Sequence, residues 1–395
     1  MVTTTQVQPI PQTTLEDIGM TWHTDTDGSA YLVPELVNVS EAEAQAFYDA
    51  SNILYDHFVE AAEHVINEKR YAELGIDPAL ISLIEDSWER DDWHLYGRFD
   101  LAGGLDGKPI KLIEFNADTP TSLYETAILQ WALLKANKMD EAAQFNNIHT
   151  MLQENFRRLI TKDQSDFATS YHSEKFLFSS IAGLDEDERT VRYLQHVAHE
   201  AGLFTDFCFL DEAGFLENQG VFNRDQQRAD FWFKLFPWED IASEEPELIS
   251  IFQSFSQLNS TSIINPAYTL LFQSKGLLPI LSELFPDSPY LLSASFQPIE
   301  GIAQVEKKLF GREGQNTRIT DASGNVISET PGEYAHHPSI YQAYTELPVD
   351  HDGNAYQAGV FYAYEACGLG FRRGAKILDN MSKFVGHHIV KHHSD

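Results

Sequence analysis

The spacing of apolar residues along the chain predicts several helices with one apolar face. Over residues 40–67 the apolar side chains recur every three or four positions, the period of an amphipathic helix. Ser40 and Glu43 have the spacing of a capping box at the start of this segment. The apolar face consists of Phe47, Leu54, Phe58, Ala61 and Val65. The same period predicts further helices over residues 78–88, 121–160 and 265–285.

Other segments have features that predict β-strands. Residues 94–101 and 110–116 alternate in polarity and are separated by Gly-Gly-Leu-Asp-Gly-Lys-Pro, so they predict a β-hairpin. A strand, a helix and a strand are predicted in succession over residues 176–183, 189–203 and 204–210. Strands and turns are predicted over residues 304–310, 316–321, 325–329, 341–344 and 359–371. This mixture predicts an α+β fold that contains α/β elements.

The length and composition favour a large folded region. The 395 residues, 43% of them hydrophobic, can bury a large core in one large domain or in two to three interlocked ones. No internal repeat or low-complexity linker marks a boundary between domains. We therefore expect a flexible tail over residues 1–19, an interlocked region over residues 20–390 and a short tail over residues 391–395.

The charge and the cysteine count disfavour some classes of function. With 27 basic and 60 acidic residues the formal charge is −33, which disfavours binding to nucleic acid and attracts cations such as polyamines. No apolar run is long enough to span a membrane, and the first residues lack the pattern of a secretory signal, so we expect a cytoplasmic protein. Cys208 and Cys367 give no disulfide framework. Burial as small apolar residues is the favoured interpretation of both, and a catalytic thiol is the alternative.

The predicted hairpin carries a group of candidate metal ligands. Alternate residues of a strand share a face, so Arg98 and Asp100 point the same way, as do Glu114 and Asn116 on the second strand. A three-residue loop would place Asp100 opposite Glu114 and Arg98 opposite Asn116. Such oxygen ligands suit Mg²⁺, and an adjacent guanidinium suits a phosphoryl group. The alternative is a surface hairpin whose charges face solvent. Thr121 or Ser122, near the start of the next helix, could bind an anion such as a carboxylate.

A second candidate site combines a lysine with a glycine-containing loop. A predicted strand bearing Lys307 leads into Gly311-Arg312-Glu313-Gly314, where backbone N–H groups could surround a phosphate. The segment is not a Walker loop, because no Gly-Lys-Ser/Thr and no helix follow. A simple hairpin turn is the alternative interpretation.

Longer motifs resemble one known family. The chain is similar to the glutathionylspermidine synthases, particularly to members that have the synthetase portion without the amidase domain. The resemblance extends from about residue 20 to residue 390, and its longest part is LIEFNADTPTSLYE. The motifs are RFD at 98–100, LIEFNADTPTSLYE at 112–125, FPWE at 236–239, NPAYTLLFQSKGLLPIL at 265–281, KKLFGREGQN at 307–316 and NMSKF at 380–384.

The resemblance implies an ATP-grasp ligase in the permuted arrangement of eukaryotic-type glutathione synthetases. Such an enzyme uses ATP and two Mg²⁺ ions to phosphorylate a carboxylate, and an amine then attacks the acyl phosphate to form an amide. The substrates implied are a glutathione-like peptide and an amine or polyamine. The Mg²⁺ ligands implied are Asp100, Glu114 and Asn116.

The resemblance also implies roles for other side chains. Arg98 is implied to stabilise the transferred phosphoryl group, and Arg312 to lie in a mobile loop over the phosphates and to act in catalysis. Ser122 and Glu239 match positions that face the peptide-like substrate. The residues implied to contact the nucleotide are Arg98, Lys275, Lys307, Glu313, Gly314, Gln342 and Arg372.

Several positions depart from the family pattern. Lys308 follows Lys307 where the family usually has proline, and Tyr-Ala-His-His-Pro at 334–338 replaces an acidic, glycine-containing run before Gln342. Glu313 stands where the amidase-linked enzymes carry a thiol residue, and the hairpin between Asp100 and Glu114 is longer than in some relatives. These departures leave the identity of the substrates open.

Two other functions compete with the ligase. One is a phosphotransferase or ATPase that forms an acyl phosphate and releases it to water, and the other is a non-catalytic ATP-binding protein. The sequence has no G-x-S-x-G elbow or Ser–His–Asp order, so it gives hydrolase chemistry no support. The histidines of HHIVKHH at 387–393 are expected to lie in a solvated tail, and a metal site is the alternative.

Overall fold

The computed structural model describes residues 1–160 and 174–390 of the chain. The strands are β1 (Thr4–Gln6), β2 (Leu32–Ser40), β3 (Gly97–Ala102), β4 (Lys111–Asn116), β5 (Lys175–Ser179), β6 (Phe204–Phe207), β7 (Gly214–Leu216), β8 (Gly220–Phe222), β9 (Arg228–Ala229), β10 (Phe231–Lys234), β11 (Ser262–Ile264), β12 (Ala294–Ser295), β13 (Gln304–Lys308), β14 (Arg318–Thr320), β15 (Val326–Glu329), β16 (Ser339–Ala343), β17 (Ala355–Ala363), β18 (Glu365–Gly374) and β19 (Lys383–Val390). The helices are α1 (Gln12–Asp17), α2 (Glu41–Glu68), α3 (Ile81–Glu89), α4 (Gln130–Ala136), α5 (Ile148–Ile160), α6 (Asp185–Glu200), α7 (Trp238–Glu244), α8 (Glu247–Leu258), α9 (Thr269–Gln273) and α10 (Leu277–Leu284).

A seven-stranded sheet in the order β1-β2-β19-β18-β17-β3-β4 carries the predicted hairpin at one edge. Strands β2 and β19 are parallel, and the other neighbours are antiparallel. Helix α2 begins at the predicted capping box, and the five apolar residues of its predicted face are all buried. The rings of Phe58 and Phe115 meet edge to face with their centroids 5.1 Å apart. Helix α2 thereby supports strand β4 from behind.

A four-stranded parallel sheet in the order β11-β10-β5-β6 confirms the predicted strand–helix–strand unit. Helix α6 connects β5 to β6 and buries Val191, Leu194 and Val197. It begins four residues before the predicted start of 189, and its first turn consists of Asp185, Glu186, Asp187 and Glu188. Acidic side chains are favourable at a helix N-terminus, which accounts for the earlier start.

A five-stranded antiparallel sheet in the order β12-β16-β13-β14-β15 forms from the predicted strands after residue 302. Val305 pairs with Gln342, and Lys307 pairs with Ile340, so Lys307 and Gln342 are diagonal neighbours on one face of β13 and β16. A three-stranded sheet, β7-β8-β9, lies between α6 and β10 in the sequence. The molecule is therefore a mixed α/β structure with several sheets.

Three predicted elements are interrupted in the structure. The helix predicted over residues 121–160 is divided into a π-helical turn (Glu125–Leu129), α4 and α5, and the helix predicted over residues 265–285 into α9 and α10. The segment 359–371 forms the end of β17 and most of β18, with Tyr364 between them at a φ of 73°. The residues on both sides of each break pack on the same core, so the hydrophobic spacing continues through the break. The spacing therefore did not predict where these elements are interrupted.

The ends of the described chain also differ from expectation. The sequence predicts a flexible tail over residues 1–19, but β1 pairs with β2 and Leu15 of α1 is buried. His387 and His388 belong to β19, and His387 is fully buried, so the expectation of a solvated tail is wrong for both. Burial lowers the pKa of His387 to about 3, and its Nε2 accepts a 2.9 Å hydrogen bond from the backbone N–H of Phe145. The predicted tail over residues 391–395, with the two remaining histidines, lies outside the described residues.

Both cysteines are buried and free, as expected for small apolar residues. None of the helices in the described ranges 1–160 and 174–390 has the length and apolarity that a bilayer crossing requires.

Candidate functional site

The β3–β4 hairpin brings the predicted metal-binding side chains together. Asp100 pairs with Glu114 and Arg98 with Asn116, as predicted. The pairing forms although the connection is not the three-residue loop for which it was expected: the connection runs over residues 103–110, and the register shifts after Asp100. Gly104 is required in this connection: its φ is 77°, and a Cβ there would lie 2.2 Å from the ring of Phe47 on α2.

Arg98 and Asp100 form a tight ion pair at the base of the site. Arg98 Nε donates to Asp100 Oδ1 at 2.6 Å, and Nη2 donates to Oδ2 at 3.0 Å. Arg98 Nη1 donates to the backbone oxygen of Thr121 at 2.6 Å, which ties the hairpin to the following segment. Asn116 Nδ2 also donates to Asp100 Oδ2, at 3.2 Å. Burial raises the pKa of Asp100 above its ordinary value, and Arg98 offsets part of that increase.

Lys275 reaches the same face from the break between α9 and α10. Its Nζ lies 3.2 Å from Glu114 Oε2 and donates to the backbone oxygen of Gly311 at 2.7 Å. Its backbone N–H donates to Leu309, so the break also joins the helices to the segment after β13. Burial raises the pKa of Glu114, but Lys275 and Lys307 outweigh that effect and hold the pKa below its usual value. Glu114 is therefore ionised at neutral pH.

Lys307 and Gln342 form a second polar pair beside the hairpin. Lys307 Nζ donates to Gln342 Oε1 at 2.8 Å and to the backbone oxygen of Ile113 at 3.1 Å. Gln342 Nε2 donates to the backbone oxygen of Leu112 at 3.0 Å. Burial lowers the pKa of Lys307 to about 8, so the side chain is mostly protonated at neutral pH. These bonds join the five-stranded sheet to strand β4.

The loop with Gly311 and Gly314 is tied to the start of α7. Arg312 Nη1 donates to Asp240 at 3.1 Å, and Nη2 donates to Glu239. Glu313 has a φ of 52°, and Gly314 has a φ of 64°. A Cβ on Gly314 would lie 2.2 Å from a backbone oxygen of Leu378, so a side chain there would displace the backbone. The loop connects β13 and β14, which pair as a hairpin, and it is fixed by its contacts with α7.

Most of the predicted site residues line one cleft with a volume of about 370 Å³. Two do not line it. Ser122 is buried behind the wall at a φ of 60°, and Glu239 is held by Arg312. The predicted residues in the cleft wall are Arg98, Asp100, Glu114, Asn116, Lys275, Lys307, Arg312, Glu313, Gly314, Gln342 and Arg372. Residues far apart in sequence thus converge as the prediction requires.

Sequence reasoning missed a buried ion pair that positions α7, the helix to which Arg312 is bound. Lys234 Nζ lies 3.2 Å from Asp118 Oδ1, and both side chains are fully buried. Asp118 Oδ2 accepts from the backbone N–H of Trp238 at 3.0 Å, so the pair fixes the start of α7 and hence Glu239. Burial raises the pKa of Asp118 and lowers that of Lys234. Asp118 lies within the EFNADTP motif, but nothing in the sequence indicated Lys234 as its partner.

Sequence reasoning also missed other residues of the cleft wall, among them Tyr31, Glu186 and Asp187. Burial raises the pKa of Glu186 to about 8 and that of Asp187 to about 6. Both carboxyls belong to the acidic first turn of α6, a pattern that usually only caps a helix. Their place in the cleft depends on how the parallel sheet packs, which hydrophobic spacing does not encode.

The donor set of the hairpin fits a Mg²⁺ ion that also contacts phosphate. Asp100 and Glu114 supply carboxylate oxygens and Asn116 an amide oxygen, the hard ligands that Mg²⁺ prefers. Within residues 1–160 and 174–390, no three His, Cys, Asp or Glu side chains form a potential metal group. Mg²⁺ keeps several waters and binds substrate phosphates in addition to one or two carboxylates, so this sparse set is sufficient.

Comparison with known proteins identifies relatives over almost the whole chain. The match to the family described as "Glutathionylspermidine synthase preATP-grasp" spans residues 2–390. A Haemophilus influenzae protein named as an acid–amine ligase is 32% identical over 379 residues, which cover 92% of each chain. The bifunctional glutathionylspermidine synthetase/amidase of Escherichia coli is 23% identical over 342 residues, covering 78% of this chain and 52% of that protein. The chain thus spans about half the length of the latter relative.

One further relative and one solved structure are also similar to the chain. A trypanothione synthetase of Crithidia fasciculata is 24% identical over 349 residues, which cover 83% of this chain and 52% of that enzyme. Among solved structures, a glutathione synthetase-like effector of Globodera pallida superposes with a TM-score of 0.57 at 12% identity. That superposition covers 98% of this chain and the whole of the effector, and at this identity it shows a shared fold alone.

Proposed function

Since the chain belongs to the glutathionylspermidine synthase preATP-grasp family, whose named members are carbon–nitrogen ligases, we propose that it is an ATP- and Mg²⁺-dependent carboxylate–amine ligase. The reaction proceeds through an acyl phosphate on the substrate carboxylate. The architecture is the ATP-grasp fold in the permuted arrangement of eukaryotic-type glutathione synthetases. This assignment rests on the site as well as on similarity, because fold alone does not determine function.

One observation carries the proposal: a single cleft holds the hairpin oxygens together with Arg98, Lys275 and Lys307. Asp100, Glu114 and Asn116 would hold one or two Mg²⁺ ions, which when bound neutralise phosphate charge and orient phosphoryl oxygens. Lys275 and Lys307 carry the positive charge that attracts the nucleotide phosphates. The chain as a whole has a charge of −33 and would repel a nucleotide. Cations placed together in the cleft can offset this repulsion locally.

The chain's own residues then act by position and charge. Arg98 stabilises the negative charge that develops on the transferred phosphoryl group, and Asp100 fixes the orientation of its guanidinium through two hydrogen bonds. The Gly311–Gly314 loop covers the phosphates and excludes water, which protects the acyl phosphate until the amine attacks its carbonyl carbon. Arg312 holds that loop to α7 through Glu239 and Asp240.

The substrates proposed are a glutathione-like peptide and an amine or polyamine. The names of the Crithidia and Escherichia relatives motivate this choice. Lys308 and residues 334–338 depart from the family pattern. In the sequence they lie next to Lys307 and shortly before Gln342, two residues proposed to contact the nucleotide. Lys308 Nζ donates to Ser339 at 2.9 Å, and the backbone N–H of Leu309 donates to the backbone oxygen of Pro338, so the two departures lie next to each other where β13 pairs with β16.

Two further functions remain as outcomes of the test: an ATPase or phosphotransferase that loses the acyl phosphate to water, and a protein that binds ATP without turnover. They differ from the ligase in one measurable respect. The ligase releases ADP only when a carboxylate substrate and an amine are both present. The ATPase releases it without an amine, and the binding protein does not release it.

The test is ADP release from ATP and Mg²⁺ with a panel of small peptides, including glutathione, against a panel of amines, including spermidine. Turnover that requires one member of each panel supports the ligase. The Asp100→Ala variant should abolish turnover, whereas Asp106→Ala, on the exposed connection of the same hairpin, should retain it. ADP release that is independent of amine would refute the ligase, whereas nucleotide binding without ADP release for any pair would refute the glutathione–polyamine substrates and point to an unlisted substrate or a binding role.

A further inference from the structure

A fully buried ion pair lies behind the cleft and contacts several of the segments that form it. Lys234, at the end of β10, donates to both carboxylate oxygens of Asp118, at 3.2 and 3.3 Å, and to the backbone oxygen of Phe236 at 2.8 Å. Both side chains of the pair are 0% exposed, and neither belongs to the residues that line the cleft. The pair therefore has no contact with a ligand in the cleft, and it can affect the reaction only through other residues.

The backbone of Asp118 is anchored to the side of the cleft that carries the proposed Mg²⁺ ligands. Asp118 follows Asn116 by two residues. Its backbone N–H and that of Ala117 donate to Gln273 Oε1, at 3.2 and 2.8 Å. Gln273 itself lines the cleft, two residues before Lys275. These bonds fix the Asp118 carboxylate relative to the groups that are proposed to hold the metal and the phosphates.

The same carboxylate holds the first turn of α7. Asp118 Oδ2 accepts a 3.0 Å hydrogen bond from the backbone N–H of Trp238, the first residue of the helix. The N–H groups of a first helical turn have no partner within the helix, so this bond comes from outside the helix. The next two residues of α7 bind Arg312 of the Gly311–Gly314 loop. The loop is thus attached, through α7, to the ion pair.

We propose that Asp118 and Lys234 are positioning residues for ATP binding, which fix the Gly311–Gly314 loop relative to the hairpin with the proposed Mg²⁺ ligands. The inference rests on the proposed function, because it concerns the same nucleotide site. The path runs from Asp118 through the first turn of α7 to Arg312. Each step of the path is a hydrogen bond or an ion pair. The loop is therefore ordered before the nucleotide arrives, which lowers the cost of binding.

A pair that only stabilises the fold would behave differently. Replacing a buried ion pair by apolar groups of similar volume is often neutral or stabilising, so a stabilising pair could be replaced without changing ATP binding. A positioning pair could not be replaced in this way, because the Trp238 N–H would lose its acceptor. Asparagine in place of Asp118 keeps an oxygen for that N–H and should therefore preserve binding.

The test is isothermal titration calorimetry of AMP-PNP, a non-hydrolysable ATP analogue, in the presence of Mg²⁺. The double variant Asp118→Leu with Lys234→Met removes both charges, and its Kd should rise about tenfold, as expected for the loss of one hydrogen-bonded attachment. In Asp118→Asn with Lys234→Met the Kd should stay close to the wild-type value. When Arg312→Ala is added to each, the two should bind equally, because the path no longer reaches the loop.

Val39→Ala is the control for a loss of stability. Val39 is fully buried in β2, and three strands separate β2 from the hairpin in the seven-stranded sheet. Removing its methyl groups should lower the temperature of thermal unfolding and leave the Kd unchanged. Hydrogen exchange of the wild-type protein provides a measurement that does not depend on any variant. AMP-PNP should slow the exchange of backbone amides in α7 together with those in the Gly311–Gly314 loop.

Four results would overturn the inference. They are a wild-type Kd in the leucine-containing variant, equal weakening in the leucine and asparagine variants, a difference that persists with Arg312→Ala, and protection of the loop amides without α7. If the variants do not fold, the exchange measurement decides.

The two proposals can fail separately. Normal binding of AMP-PNP by all variants would retain the nucleotide site and refute the positioning role. ADP release that is independent of amine, together with the expected Kd values, would retain the positioning role and refute the ligase. No binding of AMP-PNP by the wild-type protein would refute both.

Discussion

The two polar regions of the cleft differ in how their charges are compensated. On the hairpin side each cation has a partner: Arg98 binds Asp100, Lys275 binds Glu114, and Lys307 binds Gln342. Around Tyr31 the compensation is poorer, because the carboxyl groups of Glu125 and Glu186 repel each other, which together with burial raises the pKa of Glu186 to about 8. A preorganised set of charges suits transition-state stabilisation, because its groups need no reorientation during the reaction. Carboxyl groups that repel each other instead make the folded state retain a proton, which links stability to pH.

Asp118 and Lys234 form a fully buried ion pair near the hairpin. Breaking this pair should have the largest effect on the stability of the protein. Lys234→Met leaves a buried carboxylate without its cation, which should lower the free energy of unfolding by about 3–5 kcal/mol. The matched change Lys69→Met breaks an exposed pair with Glu85 and should cost about 0–1 kcal/mol. Urea unfolding of both variants measures the difference, and equal losses would contradict the comparison.

Arg98→Lys tests whether bidentate geometry or charge alone matters on the hairpin side. Lysine keeps the positive charge but loses the two parallel hydrogen bonds to Asp100. We expect kcat to fall by about 10²–10³-fold, as for the loss of one donor to a developing negative charge. The control Arg228→Lys alters an exposed pair with Asp230 and should leave kcat unchanged. Wild-type kcat in Arg98→Lys would show that charge alone is sufficient.

Arg312→Ala tests whether the attachment of the Gly311–Gly314 loop to α7 matters for ATP binding. Without the bonds to Glu239 and Asp240 the loop loses its attachment to α7, so KM for ATP should rise by about tenfold, equivalent to ~1.4 kcal/mol. Arg318→Ala, which removes an exposed arginine of β14, is the control. Initial-rate kinetics distinguish the two, and an unchanged KM in Arg312→Ala would contradict a role for the attachment.

The last prediction concerns the pH dependence of stability to which Glu186, in the cleft wall near Tyr31, contributes. The pKa of Glu186 is about 8 in the folded protein and near its ordinary value of 4.5 when unfolded. The folded state therefore retains a proton that the unfolded state loses between these values, so stability falls as pH rises from about 4.5 to 8. Glu186→Gln should flatten this decline. Thermal unfolding from pH 5 to pH 8.5 would contradict the account if both proteins declined equally.

The sequence predicted local elements and the pairing of site residues within one hairpin. The capping box of α2, the strand–helix–strand unit and the pairing of Asp100 with Glu114 all follow from local spacing. The spacing of apolar residues did not predict the breaks at Lys275 and Tyr364, because the spacing continues across them. Glu186 and Lys234 were missed for a related reason. Their positions in the site arise from packing between sheets, which a single chain's pattern does not specify.

The central claim is that the cleft activates a carboxylate by phosphorylation. The most direct measurement uses peptide substrate labelled with ¹⁸O in its reacting carboxylate, together with ATP, Mg²⁺ and the amine. If an acyl phosphate forms, amine attack at its carbonyl carbon transfers one labelled oxygen to each inorganic phosphate released. Mass spectrometry should therefore find one ¹⁸O per phosphate. Amide formation accompanied by unlabelled phosphate would contradict the account.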